Sequence, residues 1–121
     1  MSKQPVRVMV VDDHPMWRDG VARDLADEGF EVVATADGVR AATRRAAAVR
    51  PDVVLMDMQM PDGTGATATA ELLTVCPDAH VLVLSASDER DDVLDAIKAG
   101  ATGYLVKSAQ RSELVLSLIH I

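Results

Sequence analysis

Cysteine, aromatic side chains and long apolar runs are all scarce in this chain, and each scarcity removes a class of protein. Cys76 is the only cysteine, so no disulfide can form within the chain, which fits a reducing cytoplasm. One Trp, one Tyr and one Phe leave the core to Val, Leu, Ile, Ala and Met. Hydrophobic residues at 49% are enough to build that core. The first apolar run, Val6 to Val11, is too brief for a signal-peptide core or a membrane span, so the chain is expected to be soluble and cytoplasmic. Positive charge is also in deficit. Twelve basic against 19 acidic residues give a net charge of −7, a surface that repels phosphate backbones, so direct nucleic-acid binding is not expected. With 121 residues the chain has room for one domain, taken as 1–121.

What is present is a strict alternation. Five short apolar segments rich in β-branched residues, Val6–Val11, Glu31–Thr35, Asp52–Met56, His80–Leu84 and Thr102–Val106, are separated by longer helical stretches. Three of the five are nearly continuous Val, Leu and Met, as suits strands covered on both faces. The first helix is expected over Met16–Glu28, with Pro15 before it and Gly29 after it. The second is expected over Gly38–Val49, capped by Asp37 and stopped by Pro51. The third follows the turn Pro61-Asp62-Gly63 and covers Gly65–Val75. The fourth spans Glu89–Ala99, with Asp88 as cap and Val93, Leu94 and Ile97 as its buried stripe, and a fifth begins near Gln110–Arg111. This is a (βα)5 chain. Short connections and right-handed crossovers predict an α/β, doubly wound, three-layer sandwich around a parallel five-stranded sheet.

Sites in such sheets lie outside the carboxyl ends of the strands, and the polar residues that stop the apolar runs fall there. They are Asp12 and Asp13 after the first segment, Asp57 after the third, Ser85 after the fourth and Lys107 after the fifth. Each alone has a plain reading: a helix cap, a turn residue or a solvated lysine. Together they form a complementary set on one edge. Two carboxylates about 4 Å apart repel by roughly 4 kcal/mol at an effective dielectric near 20. A hard divalent cation bound through oxygen offsets such repulsion, and a lysine offsets another part. That combination suits phosphoryl transfer to a carboxylate, with a cation and Lys107 holding the anion and the Ser85 hydroxyl donating to it.

Four stretches in order carry a resemblance: Val-Val-Asp12-Asp13-His14-Pro15, Asp52-Val-Val-Leu-Met-Asp57-Met-Gln-Met-Pro61, Val-Leu-Val-Leu-Ser85, and Ala99-Gly100-Ala101-Thr102-Gly103-Tyr104-Leu105-Val106-Lys107. Over residues 5–115 the chain resembles the receiver domain of two-component response regulators. The resemblance implies a flavodoxin-like sheet of order 2-1-3-4-5, with Asp57 as phosphoacceptor. It implies Mg²⁺ as cofactor, with Mn²⁺ a possible substitute, held by Asp13, Asp57 and the backbone carbonyl of Gln59, with Asp12 acting through water. Ser85 and Lys107 would bind the phosphoryl group, and Tyr104 would turn inward as a switch. The partners implied are a sensor histidine kinase and a second copy of the chain. Such a protein is a phosphoacceptor that takes part in its own phosphorylation and dephosphorylation, and is not an enzyme. The stretch from Asp12 to Gly20 resembles the LuxR-type (NarL/FixJ) subgroup, which implies transcriptional output through a DNA-binding domain not contained in this chain.

Some positions depart from the pattern. Ser108 stands where many relatives carry Pro, which leaves the 107–108 peptide geometry open, and Ala66 replaces a bulkier residue after Gly65. Leu114–Ile121 is apolar on too many faces for a solvated helix, as expected of a fragment, an appended tail or a dimer surface. His14 suits Mg²⁺ poorly and is expected to support the site rather than ligate. Asp88, Asp91, Asp92 and Asp95 read as a cap and a solvated face, and Trp17 as packing. Three other readings compete. A flavin or nucleotide domain needs a first βα loop rich in Gly, Ser or Thr to cradle phosphate, where this chain has Asp12 and Asp13. A dehalogenase-type aspartyl phosphatase needs an Asp two residues after its nucleophile, where this chain has Gln59. A receiver-like interaction module working without phosphorylation leaves the complete acidic set without a purpose.

Overall fold

The computed structural model describes residues 5–86, 90–107, 113–114 and 117–118. Five strands form the sheet: β1 (Arg7–Val11), β2 (Glu31–Ala36), β3 (Val53–Asp57), β6 (His80–Ser85) and β7 (Gly103–Val106). A separate antiparallel ribbon of β4 (Gln59–Met60) and β5 (Gly63–Thr64) lies between β3 and the third helix. The sheet order is β2-β1-β3-β6-β7 with every pair parallel. Leaving the ribbon out of the count, this is the expected 2-1-3-4-5. The helices are α1 (Pro15–Asp27), α2 (Val39–Val49), α3 (Gly65–Val75) and α4 (Arg90–Ala99).

The two-residue period of a strand sorts each run onto two faces. Met9, Val11, Val54, Met56, Val81 and Val83 pack with Ala42, Ala46, Leu72 and Ala96 of α2, α3 and α4. Val8, Val10, Val53, Leu55, Leu82 and Leu84 face the other way, onto Val21 and Leu25 of α1 and onto Leu114 and Leu118. The sheet is therefore buried on both sides, which is why its central strands read as unbroken apolar runs. The fifth helix lies mostly outside the described residues. Glu113, Leu114, Ser117 and Leu118 are helical, and the two leucines, one turn apart, are buried, so part of the apolar C-terminal segment belongs to the core. Ser108 and the 107–108 peptide, Asp88, and residues 110–111 and 119–121 fall outside the described residues.

Two expectations are corrected. Asp37 does not cap α2. Gly38 is the N-cap, without a side-chain bond, and the cap comes from a distant residue. The Asp62 carboxylate accepts from the N–H groups of Val39 (2.8 Å) and Arg40 (3.2 Å), and these bonds hold its carboxyl below the ordinary carboxylate value. A Cβ on residue 38 would stand 2.6 Å from Asp62 Oδ1, so the glycine makes room for the remote cap. The stripe of α4 is also different: Ala96 is the buried residue, while Leu94 and Ile97 are 42% and 49% exposed. The helix is turned so that its small residue faces inward and the larger ones flank it.

The start of α3 is tied despite Ala66. Thr64 caps it by accepting from the Thr67 N–H at 3.1 Å, and Thr69 Oγ1 donates to the Gly65 carbonyl at 2.7 Å. Gly65 is pressed against the end of β3. Its N–H donates to the Met58 carbonyl at 2.7 Å, and an added Cβ would meet the Asp57 carbonyl oxygen at 2.7 Å and Met58 Cα at 2.9 Å. Both obstacles are backbone and cannot step aside. Gly65→Ala is therefore expected to lower stability by about 1–3 kcal/mol, read as a lower midpoint in urea unfolding. An unchanged midpoint would mean that this contact is slack.

Candidate functional site

The parallel register brings the polar residues to one edge. Val11 pairs with Met56, Asp57 with Leu84 and Ser85 with Val106, so Asp12, Asp57, Ser85 and Lys107 stand at or one step beyond adjoining strand ends. Hydrogen bonds past the strands hold their backbones: Asp12 N–H to the Ala36 carbonyl (3.0 Å), Met58 N–H to Leu84 (2.7 Å) and Lys107 N–H to Ser85 (2.7 Å). The positions are fixed by the sheet and not by flexible loops, which is what preorganised chemistry requires.

Asp12 is fully buried, and Asp57 and Ser85 are nearly so. Lys107 Nζ lies 2.5 Å from Asp12 Oδ2 and 3.4 Å from Asp57 Oδ2. The remaining oxygen of Asp12 serves the loop, accepting from the His14 N–H at 2.8 Å. His14 Nδ1 is 2.8 Å from Asp12 Oδ1 and 3.2 Å from Asp13 Oδ1. Arg18 Nη1 donates to the Asp12 carbonyl at 2.9 Å. A cavity of about 320 Å³ opens over this group, lined by His14, Asp57, Gln59, Ser85, Ala86, Asp92 and Lys107. Single ligand atoms of Asp12, Asp13, His14 and Asp57 lie within 4.8 Å of one another. Convergent carboxylate oxygens beside a cavity fit a hard, oxygen-seeking divalent cation, and His14 adds a nitrogen at the rim.

Every site residue expected from the sequence sits on this edge except Tyr104. It is a half-buried residue of β7 packed against the core on the α2–α3–α4 face. Gln59 is exposed in the cavity wall, and its N–H reaches towards Asp57 Oδ1 at 3.4 Å. Three contributors escaped the sequence reading. Asp92, expected on a solvated face, is half-buried and lines the cavity. Arg18 holds the backbone of Asp12. Trp17, expected as packing only, also places its ring under Lys107, with Nζ 4.6 Å from the ring centroid. The helical spacing from Asp13 to Trp17 and Arg18 puts both at the first turn of α1, but nothing local signals what they touch.

Burial pushes the Asp57 carboxyl above its ordinary value of 3.8, and the neighbouring Asp12 adds to the rise, while Lys107 and the Gln59 N–H pull the other way. A carboxyl raised on folding contributes its stability below the ordinary value and loses it as pH climbs through the raised one. At neutral pH ionised Asp57 therefore works against the fold. Asp57→Asn is expected to melt at a higher temperature than the parent at pH 7, with the gap closing as pH falls towards 3.8. Circular-dichroism melts across that range test this; a variant melting below the parent at pH 7 would contradict it.

Residues 8–119 match the response regulator receiver domain family. The chain is 42% identical over 110 residues to the DNA-binding transcriptional activator DevR/DosR of Mycobacterium tuberculosis, covering 90% of this chain and 51% of that protein. The solved signal receiver domain of NarL from the same species superposes with a TM-score of 0.91 at 39% identity, covering 98% of this chain and 96% of that one. A Burkholderia pseudomallei response regulator, solved with a phosphorylated aspartic acid, calcium ion and citrate, gives 0.85 at 26% identity over 93% of this chain and 66% of that one. The chain spans about half the length of the curated relatives it matches. By these matches and by its fold, the chain belongs to the response regulator receiver domain family.

Proposed function

We propose that the chain is a phosphorylation-dependent switch of a two-component system, with Asp57 as phosphoacceptor. The observation that carries this reading is the Lys107 ammonium set between the buried carboxylates of Asp12 and Asp57, at a cavity that Ser85 also lines. A phosphoryl group entering that cavity meets a carboxylate nucleophile, an ammonium and a hydroxyl donor. The P–N bond of a phosphohistidine donor on a sensor histidine kinase breaks as a P–O bond to Asp57 forms, and the electron pair returns to the imidazole. Asp13, Asp57 and the Gln59 carbonyl would hold Mg²⁺, with Asp12 acting through water. When bound, Mg²⁺ supplies positive charge against the phosphoryl oxygens. Lys107 neutralises what remains, and Ser85 donates to a phosphoryl oxygen. The Burkholderia relative, with its phosphorylated aspartic acid and calcium ion, supports a carboxylate and a divalent cation in these roles.

The consequence of loading is a bias between two states. Ser85 moves towards the phosphoryl group and Tyr104, on the adjoining strand, turns inward. In this reading residues 1–121 form one receiver domain that works in the cytoplasm, pairs with a second copy and controls transcription through a DNA-binding domain outside this chain. The name of the DevR/DosR relative supports that output. The chain is a phosphoacceptor and not an enzyme in the ordinary sense. Among the described residues no helix is long and apolar enough to cross a membrane.

Incubation with a small acyl-phosphate donor, followed by intact-mass measurement, tests the proposal. One phosphoryl adduct is expected, dependent on Mg²⁺ and lost in Asp57→Asn. A folded parent protein that takes up no phosphoryl group would favour an interaction module working without phosphorylation.

A further inference from the structure

We infer that Trp17 is a positioning residue that seats the Lys107 ammonium between Asp12 and Asp57, an inference that rests on the proposed phosphoacceptor role. Lysine carries its charge on a flexible four-carbon stem, and its compact, strongly hydrated head has no preferred plane. Two carboxylates leave such a head other directions in which to swing on its stem. Here a third wall is present. The Trp17 ring lies with its centroid 4.6 Å from Nζ, within the range where the negative face of an indole attracts an ammonium. The ring is itself held, being packed on the core face that carries Val21 and Leu25. Lys107 is only 16% exposed, so the attraction acts away from bulk water.

With Asp12 at 2.5 Å, Asp57 at 3.4 Å and the ring on a third side, the direction left to the ammonium is the cavity that Lys107 lines with Asp57 and Ser85. That is where a transferring phosphoryl group arrives. Trp17 does not reach the reacting atoms in this account. It acts through Lys107, by keeping the charge placed before the donor binds, and this lowers the reorganisation needed at transfer.

The test uses the fact that Trp17 is the only tryptophan. Growth on fluorinated tryptophans replaces this one ring, and successive fluorines drain its face of negative charge with little change of shape. Loading by acyl phosphate with Mg²⁺, followed by intact mass, is expected to slow stepwise with fluorine content, to about fivefold for the most fluorinated ring, with unfolding temperature held. The ring current should also shift the Lys107 ε-methylene protons upfield in NMR spectra of the untreated protein. Loading rates independent of fluorine, or ε-protons at their solvated position, would overturn the inference. If the parent protein does not load at all, the phosphoacceptor reading fails, and the NMR shift still decides whether Trp17 seats Lys107.

Discussion

Like charges brought together at the ends of neighbouring strands are the constraint on which the rest of this structure depends. Asp12 and Asp57 are buried beside each other, Asp13 and His14 stand at the rim, and the ammonium set between the two buried carboxylates is Lys107. Burial and mutual repulsion raise Asp57, so the site stores unfavourable electrostatic energy that the packed sheet must outweigh. A bound cation would release such energy, and in the proposed function it would also offset the further negative charge that a phosphoryl group brings. The same constraint explains the tight backbone: hydrogen bonds past the strands at Asp12, Met58 and Lys107 keep groups together that would otherwise move apart.

The neighbouring elements serve that edge. Gly65 lets α3 start directly against the Asp57 backbone. Asp62, in the turn between Met60 and Gly63, ties the loop after β3 to the N-terminus of α2. Arg18 fixes the Asp12 carbonyl and Trp17 lies under Lys107, so the first turns of α1 brace the site from the opposite face of the sheet. The surroundings of Asp57 are thus tied by contacts to α1, α2 and α3, as the proposed switch requires.

Much of this was legible in the sequence because two-sided burial leaves a plain mark. Strands covered on both faces become apolar runs, and the residues that end those runs are the ones at the sheet edge. Asp12, Asp57, Ser85 and Lys107 stood out for that reason, and the order of their segments carried the family resemblance. What stayed hidden depends on partners distant in the chain. The cap of α2 belongs to Asp62, which no local pattern around Asp37 discloses. The rotation of α4 is set by how closely Ala96 approaches its neighbours, so Leu94 and Ile97 looked like core and Asp92 like solvated surface. The ribbon β4–β5 has strands of two residues, too short for any period to register. Trp17 and Lys107 lie near opposite ends of the chain and meet only through the sheet.

Thermal unfolding during a Mg²⁺ titration, at neutral pH and constant ionic strength, shows whether the carboxylate cluster is held in repulsion and relieved by a bound divalent cation. A cation that binds only the folded state stabilises by about 2.7 kcal/mol at a hundredfold excess over its dissociation constant, so a saturable rise of several degrees in the midpoint is expected. The rise should shrink when Asp13 or Asp57 is changed to Asn. A midpoint that Mg²⁺ leaves where an equal ionic strength of potassium chloride leaves it would mean that no divalent cation relieves this cluster.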